Sequence, residues 1–194
     1  MPQSKIGHRV FGTAVLASGV VNLVWHHGPI YLYALAAGQI IGGVAIAFRP
    51  AAKAGAAIIG AAYLVYALLS ITQIFVHPQV YATWGNFFYP FANVIGAAAS
   101  TKRLRIACIL FGVCNLSFAI EQVEFLARTA SLVPPWLPPS QMFWAFGLLV
   151  WVPQIISNPH SQSNWSEGTE TVAIGAAAWI LAELLARSRA SDQS

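Results

Sequence analysis

The sequence predicts an all-α protein, a polytopic transmembrane helical bundle, and three observations carry that expectation. Of 194 residues, 57% are hydrophobic and 8% charged, whereas a soluble surface needs about 25% charged residues. The apolar residues gather in runs near the roughly 20 that a helix needs to cross about 30 Å of hydrocarbon. The lysines and arginines fall almost entirely between every second pair of runs. A helix satisfies its own backbone groups where no water reaches, so each run is read as helical.

Taken in order, the runs are about 8–26, 30–48, 54–76, 86–101 and 106–128, with a sixth at about 170–187. The first follows Lys5 and Arg9 and lacks a small-x-small cleavage site, so it is read as a retained span. The fourth opens Phe87-Phe88-Tyr89-Pro90; the proline is tolerable near a helix start, where its missing N–H has no partner anyway. Arg49 and Lys53 separate the second and third runs. Lys102, Arg103 and Arg105 separate the fourth and fifth, and Arg187 and Arg189 follow the last. The other connections, His26-His27-Gly28-Pro29 and His77-Pro78-Gln79, hold no Lys or Arg. By the positive-inside rule the N-terminus is cytoplasmic. Trp25, Tyr31, Tyr81, Trp84, Trp136 and Trp165 mark the opposite interface, as an aromatic belt does. Nine of the ten cations fit, and Arg128 does not.

Met142–Ile156 breaks the alternation. The Pro-rich 133–139 and the loop Ser157–Thr169 both read as outside, and a segment that begins and ends outside cannot cross. It is also short and carries Pro153. The expectation is therefore six spans plus a re-entrant or interfacial helix. Seven spans with an exported C-terminus is the alternative. Residues 132–139 hold Pro134, Pro135, Pro138 and Pro139, which fix φ and favour extended backbone.

The chain reads as one integral membrane domain, 1–194, built from two repeat-related halves of about 1–101 and 102–194. Gly19-Val-Val-Asn22-Leu-Val-Trp25 resembles Gly112-Val-Cys-Asn115-Leu-Ser-Phe118. Ile95-Gly-Ala-Ala-Ala99 recurs as Ile174-Gly-Ala-Ala-Ala178, and Pro78/Trp84 is echoed by Pro159/Trp165. The second half is shorter, 44 residues from Asn115 to Pro159 against 56 from Asn22 to Pro78, so one span is missing there.

Several function classes fall away. The formal charge of +4 comes without a basic run interleaved with aromatics, so nucleic acid is not a partner; the lipid bilayer is, and membrane-protein partners are expected. Cys108 and Cys114 are six apart, about 240° around a helix, and cannot pair with each other. His26, His27, His77 and His160 gather on the outer side, but no H-x-x-x-H spacing puts two on one helical face, so no metal site is expected. No nucleophile elbow or phosphate loop occurs. The stretches Gly38-x-x-x-Gly42 and Gly55-x-x-x-x-Gly60 let helices approach closely instead.

The candidate polar site comprises Glu121, Gln122, Glu124, Asn22 and Asn115. An ionisable group in a membrane helix is a functional candidate by default. Glu121 and Glu124 are i, i+3 and share a helix face, although Arg128, i+4 from Glu124, offers an ordinary ion pair. Asn22, Asn115, Gln39, Gln73 and Asn93 are buried amides, which commonly join neighbouring helices and otherwise contact a ligand. No catalytic residue is assigned.

The chain resembles the DoxX-like family of small bacterial polytopic membrane proteins. The resemblance lies in Leu132-Val-Pro-Pro-Trp-Leu-Pro-Pro139 with Met142-Phe-Trp144, in Phe146-Gly-Leu-Leu-Val-Trp-Val-Pro153, and in Asn164-Trp-Ser166 through Ile174-Gly-Ala-Ala-Ala-Trp179. It covers the second half clearly and the first weakly. Family members separate Phe-Trp from Gly-Leu-Leu-Val-Trp by a helical hairpin, which here is nearly absent. The resemblance implies a bacterial inner-membrane bundle serving as an accessory or scaffold subunit of a membrane redox assembly, with quinone the one cofactor it raises. Two other functions stay open: a binding or transport protein for a small apolar molecule or lipid, and a quinone-dependent oxidoreductase.

Overall fold

A computed structural model describes residues 5–25, 28–98, 104–124 and 151–191, and these are helical apart from short turns. The helices are α1 (Lys5–Trp25), α2 (Ile30–Ala47), α3 (Ala52–Val76), α4 (Tyr81–Ala98), α5 (Leu104–Glu124), α6 (Trp151–Ser157) and α7 (Gln162–Ser191), with a 3-10 turn at Arg49–Ala51. Among the described residues three helices, α2, α3 and α7, are long and apolar enough to cross a membrane, fewer than the six expected. For α1 and α4 the reason lies in composition. The helix α1 carries His8, Arg9, Thr13, Ser18 and Asn22, and α4 carries Thr83, Asn86 and Asn93. In α5 the apolar stretch among the residues with described side chains is Arg105–Ile120. Large apolar side chains lie exposed around the bundle, among them Ile30, Phe75, Leu116 and Ile120. Such a surface suits lipid rather than water.

Small residues set how closely the helices approach. A Cβ on Gly12 would meet the Gly43 carbonyl oxygen at 2.8 Å, and one on Gly42 would meet the Gly55 carbonyl oxygen at 3.0 Å. These contacts bring α1 against α2 and α2 against α3, as small-residue interfaces do in lipid. Gly38 and Gly60 have ordinary van der Waals distances to their neighbours, so Gly42 and Gly55 make the close crossing.

Contacts between α1 and α7 run in opposite chain directions. Gly7 lies against Ile180, and Ser18 bonds Thr169. Since α1 to α4 alternate direction through short connections, α4 and α7 run parallel. They pack against each other, and α1 packs on α7 as α5 packs on α4. At the α4–α7 contact a Cβ on Gly96 would lie 2.6 Å from that of Ala177. Phe11, Ala92, Ile95, Ala173, Ala177 and Ile180 belong to the core built around this crossing.

Two boundaries differ from expectation. The helix α4 starts at Tyr81 rather than near residue 86, so Pro90 lies inside it. Thr83 bonds the Val80 carbonyl and Trp84 Nε1 bonds the Pro78 carbonyl at 3.0 Å, fixing an earlier start. Pro90 removes one helical donor in mid-helix, which neighbouring helices make tolerable in membrane bundles. The helix α7 starts at Gln162, so most of the expected loop 157–169 is helix. The Ser161 hydroxyl accepts from the Asn164 N–H at 3.4 Å, a capping contact, and Trp165 Nε1 bonds the Pro159 carbonyl at 2.9 Å. Only 151–157 of the odd segment is described, as α6, a short helix folded back on α7 with Trp151 and Ile155 beside Gly168. The Pro-rich segment 132–139 and Arg128 lie outside the described residues.

Candidate functional site

The polar residues of α1, α2, α3 and α7 meet in one cluster inside the bundle. Ser18 and Asn22 are i, i+4 on α1 and therefore share a face. The Ser18 hydroxyl donates to Thr169 Oγ1 on α7 at 2.8 Å. Thr169 in turn donates to the Trp165 and Ser166 carbonyls of its own helix, at 2.9 and 3.0 Å. Asn22 Nδ2 donates to Gln39 Oε1 on α2 at 3.1 Å. Thr169 and Ser18 both lie seven residues from the ends of their helices that meet the 158–161 turn end of the bundle. At 1.5 Å per residue, the cluster therefore sits about 10 Å inside that end.

Tyr63 of α3 is the side chain these residues surround. It is 2% exposed, and its hydroxyl makes no hydrogen bond of full geometry among the described residues, with Ser18 and Gln39 close enough to interact with it. Ser18 and Gln39, themselves 2% and 1% exposed, are its polar neighbours. Tyr66 lies one turn on, its ring centroid 6.4 Å from that of Tyr63. The partly buried Glu170 carboxyl of α7 is within electrostatic range of both tyrosines, with Glu167 and Ser166 beside it. A buried hydroxyl left unmade costs about 1–3 kcal/mol.

Of the residues expected to form the site, only Asn22 lies in this cluster. Asn115 of α5 is exposed and turns back on its own helix, donating to the Phe111 carbonyl at 2.8 Å. Glu121, Gln122 and Glu124 form the last turn of α5, and their side chains lie outside the described residues. Asn93 of α4 is fully buried, donates to the Tyr89 carbonyl at 3.3 Å, and has no partner for its Oδ1 among the described residues. Gln73 is exposed near the end of α3.

Reading Ser157–Thr169 as a loop placed Glu167, Thr169 and Glu170 at the edge of the bilayer. The Ser161-x-x-Asn164 cap was the signal that α7 begins earlier. Tyr63 gave no signal, since a tyrosine in an apolar run looks like any aromatic.

At the opposite end of the bundle, Glu183 accepts from Trp179 Nε1 at 2.6 Å and pairs with Arg187 at 3.4 Å, with His8 of α1 nearby. Among the described residues, no group of three or more His, Cys, Asp or Glu is gathered as metal ligands. No family model, curated protein or solved structure matches the chain.

Proposed function

We propose that the chain is a multi-pass membrane protein that binds or passes a small molecule at the polar cluster between α1, α2, α3 and α7. The single observation that carries this reading is the Tyr63 hydroxyl, buried against Ser18 and Gln39 without a hydrogen bond of full geometry among the described residues. Lipid cannot satisfy a hydroxyl at that depth, which supports a polar guest there. The accessory role in a redox assembly rests on the resemblance to the DoxX-like family. The binding reading is preferred because it rests on named side chains.

The same proposal includes six spans, α1 to α5 and α7, with α6 belonging to a segment that does not cross. Two halves related by an axis along the membrane normal accommodate this count. The two Trp–Pro bonds are 81 residues apart, and so are Gly96 and Ala177, which touch each other as equivalent residues on such an axis do. The Ala-rich pentapeptides, matched at a spacing of 79, are two residues out of that register. With α4 and α7 parallel, Arg187 and Arg189 come to the same side as Lys5 and Arg9. The positive-inside rule makes that side the cytoplasm of a bacterial inner membrane.

Two experiments test these readings. Single cysteines at Ser4, Gln79 and Ser191, in a background without Cys108 and Cys114, are labelled from outside intact cells. Only position 79 should react, and labelling at 191 but not at 4 would overturn the six-span count. For the site, wild-type protein and Tyr63→Phe are purified in mild detergent and their extracts compared by mass spectrometry. A small molecule retained by wild type and lost from the folded variant is expected. Identical extracts would sink the binding reading.

A further inference from the structure

We infer that the exposed face of α5 is a dimer seam, against which a second copy of the chain sets its own α5. The inference is independent of the binding reading and takes from the proposal above only that α5 crosses the membrane. Cys108, Gly112, Asn115 and Ala119 follow one another at spacings of four, three and four. That is the heptad spacing that lines residues up along the contact of two helices coiled left-handed. Gly112, Asn115 and Ala119 are exposed and Cys108 is half-buried, whereas Phe111, Cys114 and Ser117 are buried on the side that faces the bundle. A Cβ on Gly112 would meet nothing within 4 Å among the described residues, so a second backbone has room to come close. Ile109, Val113, Leu116 and Ile120 are exposed beside the seam, apolar side chains to pack around it.

Small and apolar residues also suit lipid, and the amide is what separates the two occupants. Asn115 spends one hydrogen on the Phe111 carbonyl at 2.8 Å, and its second amide hydrogen and Oδ1 have no partner among the described residues. It lies 11 residues on from Leu104, about 16 Å along the helix and so near the middle of a hydrocarbon layer about 30 Å thick. Acyl chains neither donate nor accept, and an amide at that depth is satisfied by another helix. Symmetry names the helix. Copies of one chain enter the bilayer in the same orientation, so the two-fold axis of a pair lies along the membrane normal. Each seam residue then meets its equivalent at its own depth, and Asn115 faces Asn115. An amide holds donor and acceptor in one group, so two of them complete each other. Arg105 lies at the wet end of the helix, where repulsion between copies is screened. The first half of the chain shows the same motif under cover: α2 comes close over Gly19, and Asn22 bonds the Gln39 amide at 3.1 Å.

Cys108 makes the seam testable, because a disulfide needs Cα atoms within about 7 Å. The full chain carrying Cys114→Ala is placed at low density in vesicles of phosphatidylethanolamine and phosphatidylglycerol and oxidised with copper phenanthroline. Cys108 should join to Cys108 and give a covalent dimer. The control is Ala57→Cys in a background without Cys108 and Cys114, an exposed position of α3 little more than one turn from the same end of the bundle. It should cross-link only at the rate of chance collision. Asn115→Leu should weaken association about threefold or more, the worth of an interhelical hydrogen bond. Gly112→Leu should do the same by holding the backbones apart, and Asn115→Gln, which keeps the amide, should retain most of the dimer. The contact joins separate copies, so dilution in detergent parts them and leaves each chain to its own fold. Cys108 cross-linking no better than Ala57→Cys would mean that lipid or another part of the same chain occupies the face, and overturns the inference. Cross-linking of Cys108 that is unchanged in both Asn115→Leu and Gly112→Leu overturns it too. The cysteine labelling above decides the span count on its own, so the two readings fail separately.

Discussion

The helices α1 and α5 share a run of sequence and have opposite surroundings. Each carries Gly-Val-x-Asn-Leu, at Gly19–Leu23 and Gly112–Leu116. In α1 that face is sealed: a Cβ on Gly19 would meet the Ala36 carbonyl oxygen at 2.8 Å, and Asn22 reaches across to Gln39. In α5 a Cβ on Gly112 would meet nothing within 4 Å among the described residues, and Asn115 bonds its own backbone. The anchor of α5 is aromatic instead, Phe118 stacked on Tyr89 of α4 with centroids 4.4 Å apart. Among the described residues, one motif thus yields a polar helix junction in the first half and an open face in the second. The difference is whether a neighbouring helix covers the glycine.

The largest expected effect tests that directly. Gly19→Leu forces a side chain into the α2 backbone, where overpacking costs about 1–3 kcal/mol and sometimes more. Gly112→Leu adds a side chain in open space and should leave stability within about 0.5 kcal/mol. Thermal unfolding of both variants in the same detergent checks the contrast. Equal losses would mean that α5 is covered as tightly as α1, and the comparison would fail.

Much of the helical plan was legible because hydrophobic run length and the placement of cations are direct consequences of a bilayer solvent. The starts of α4 and α7 were not. Both are set by a turn in which a tryptophan ring N–H bonds a proline carbonyl six residues back, a contact that hydropathy does not register. The candidate cluster was half legible. Asn22 and Gln39 stood out as amides in apolar runs, but Ser18, Tyr63 and Thr169 are types that bundles absorb without comment. Their meaning comes from α1 and α7 lying antiparallel, which places Ser18 opposite Thr169, 151 residues away in the chain. No local pattern encodes that meeting. Asn22 and Asn115 hold matching repeat positions in the sequence, and among the described residues the neighbours of the two helices give them different partners.

A smaller effect sharpens the same comparison, because it isolates the amides from the glycines. Asn22→Leu removes the bond to Gln39, a residue 1% exposed, and leaves its Oε1 without that donor. Interhelical hydrogen bonds in membrane proteins contribute about 0.6–2 kcal/mol. Stability should fall by that order, read as a drop of a few degrees in Tm. Asn115→Leu replaces an exposed amide whose hydrogen bond among the described residues is to its own helix, on a face where Leu116 and Ile120 are already exposed. Its Tm should stay level or rise slightly, since the helix keeps its backbone bonds and the surface becomes more apolar. Should Asn115→Leu prove the more damaging of the two, Asn115 must hold a contact beyond its own turn. The face of α5 would then be a junction like that of α1, and the asymmetry between the halves would vanish.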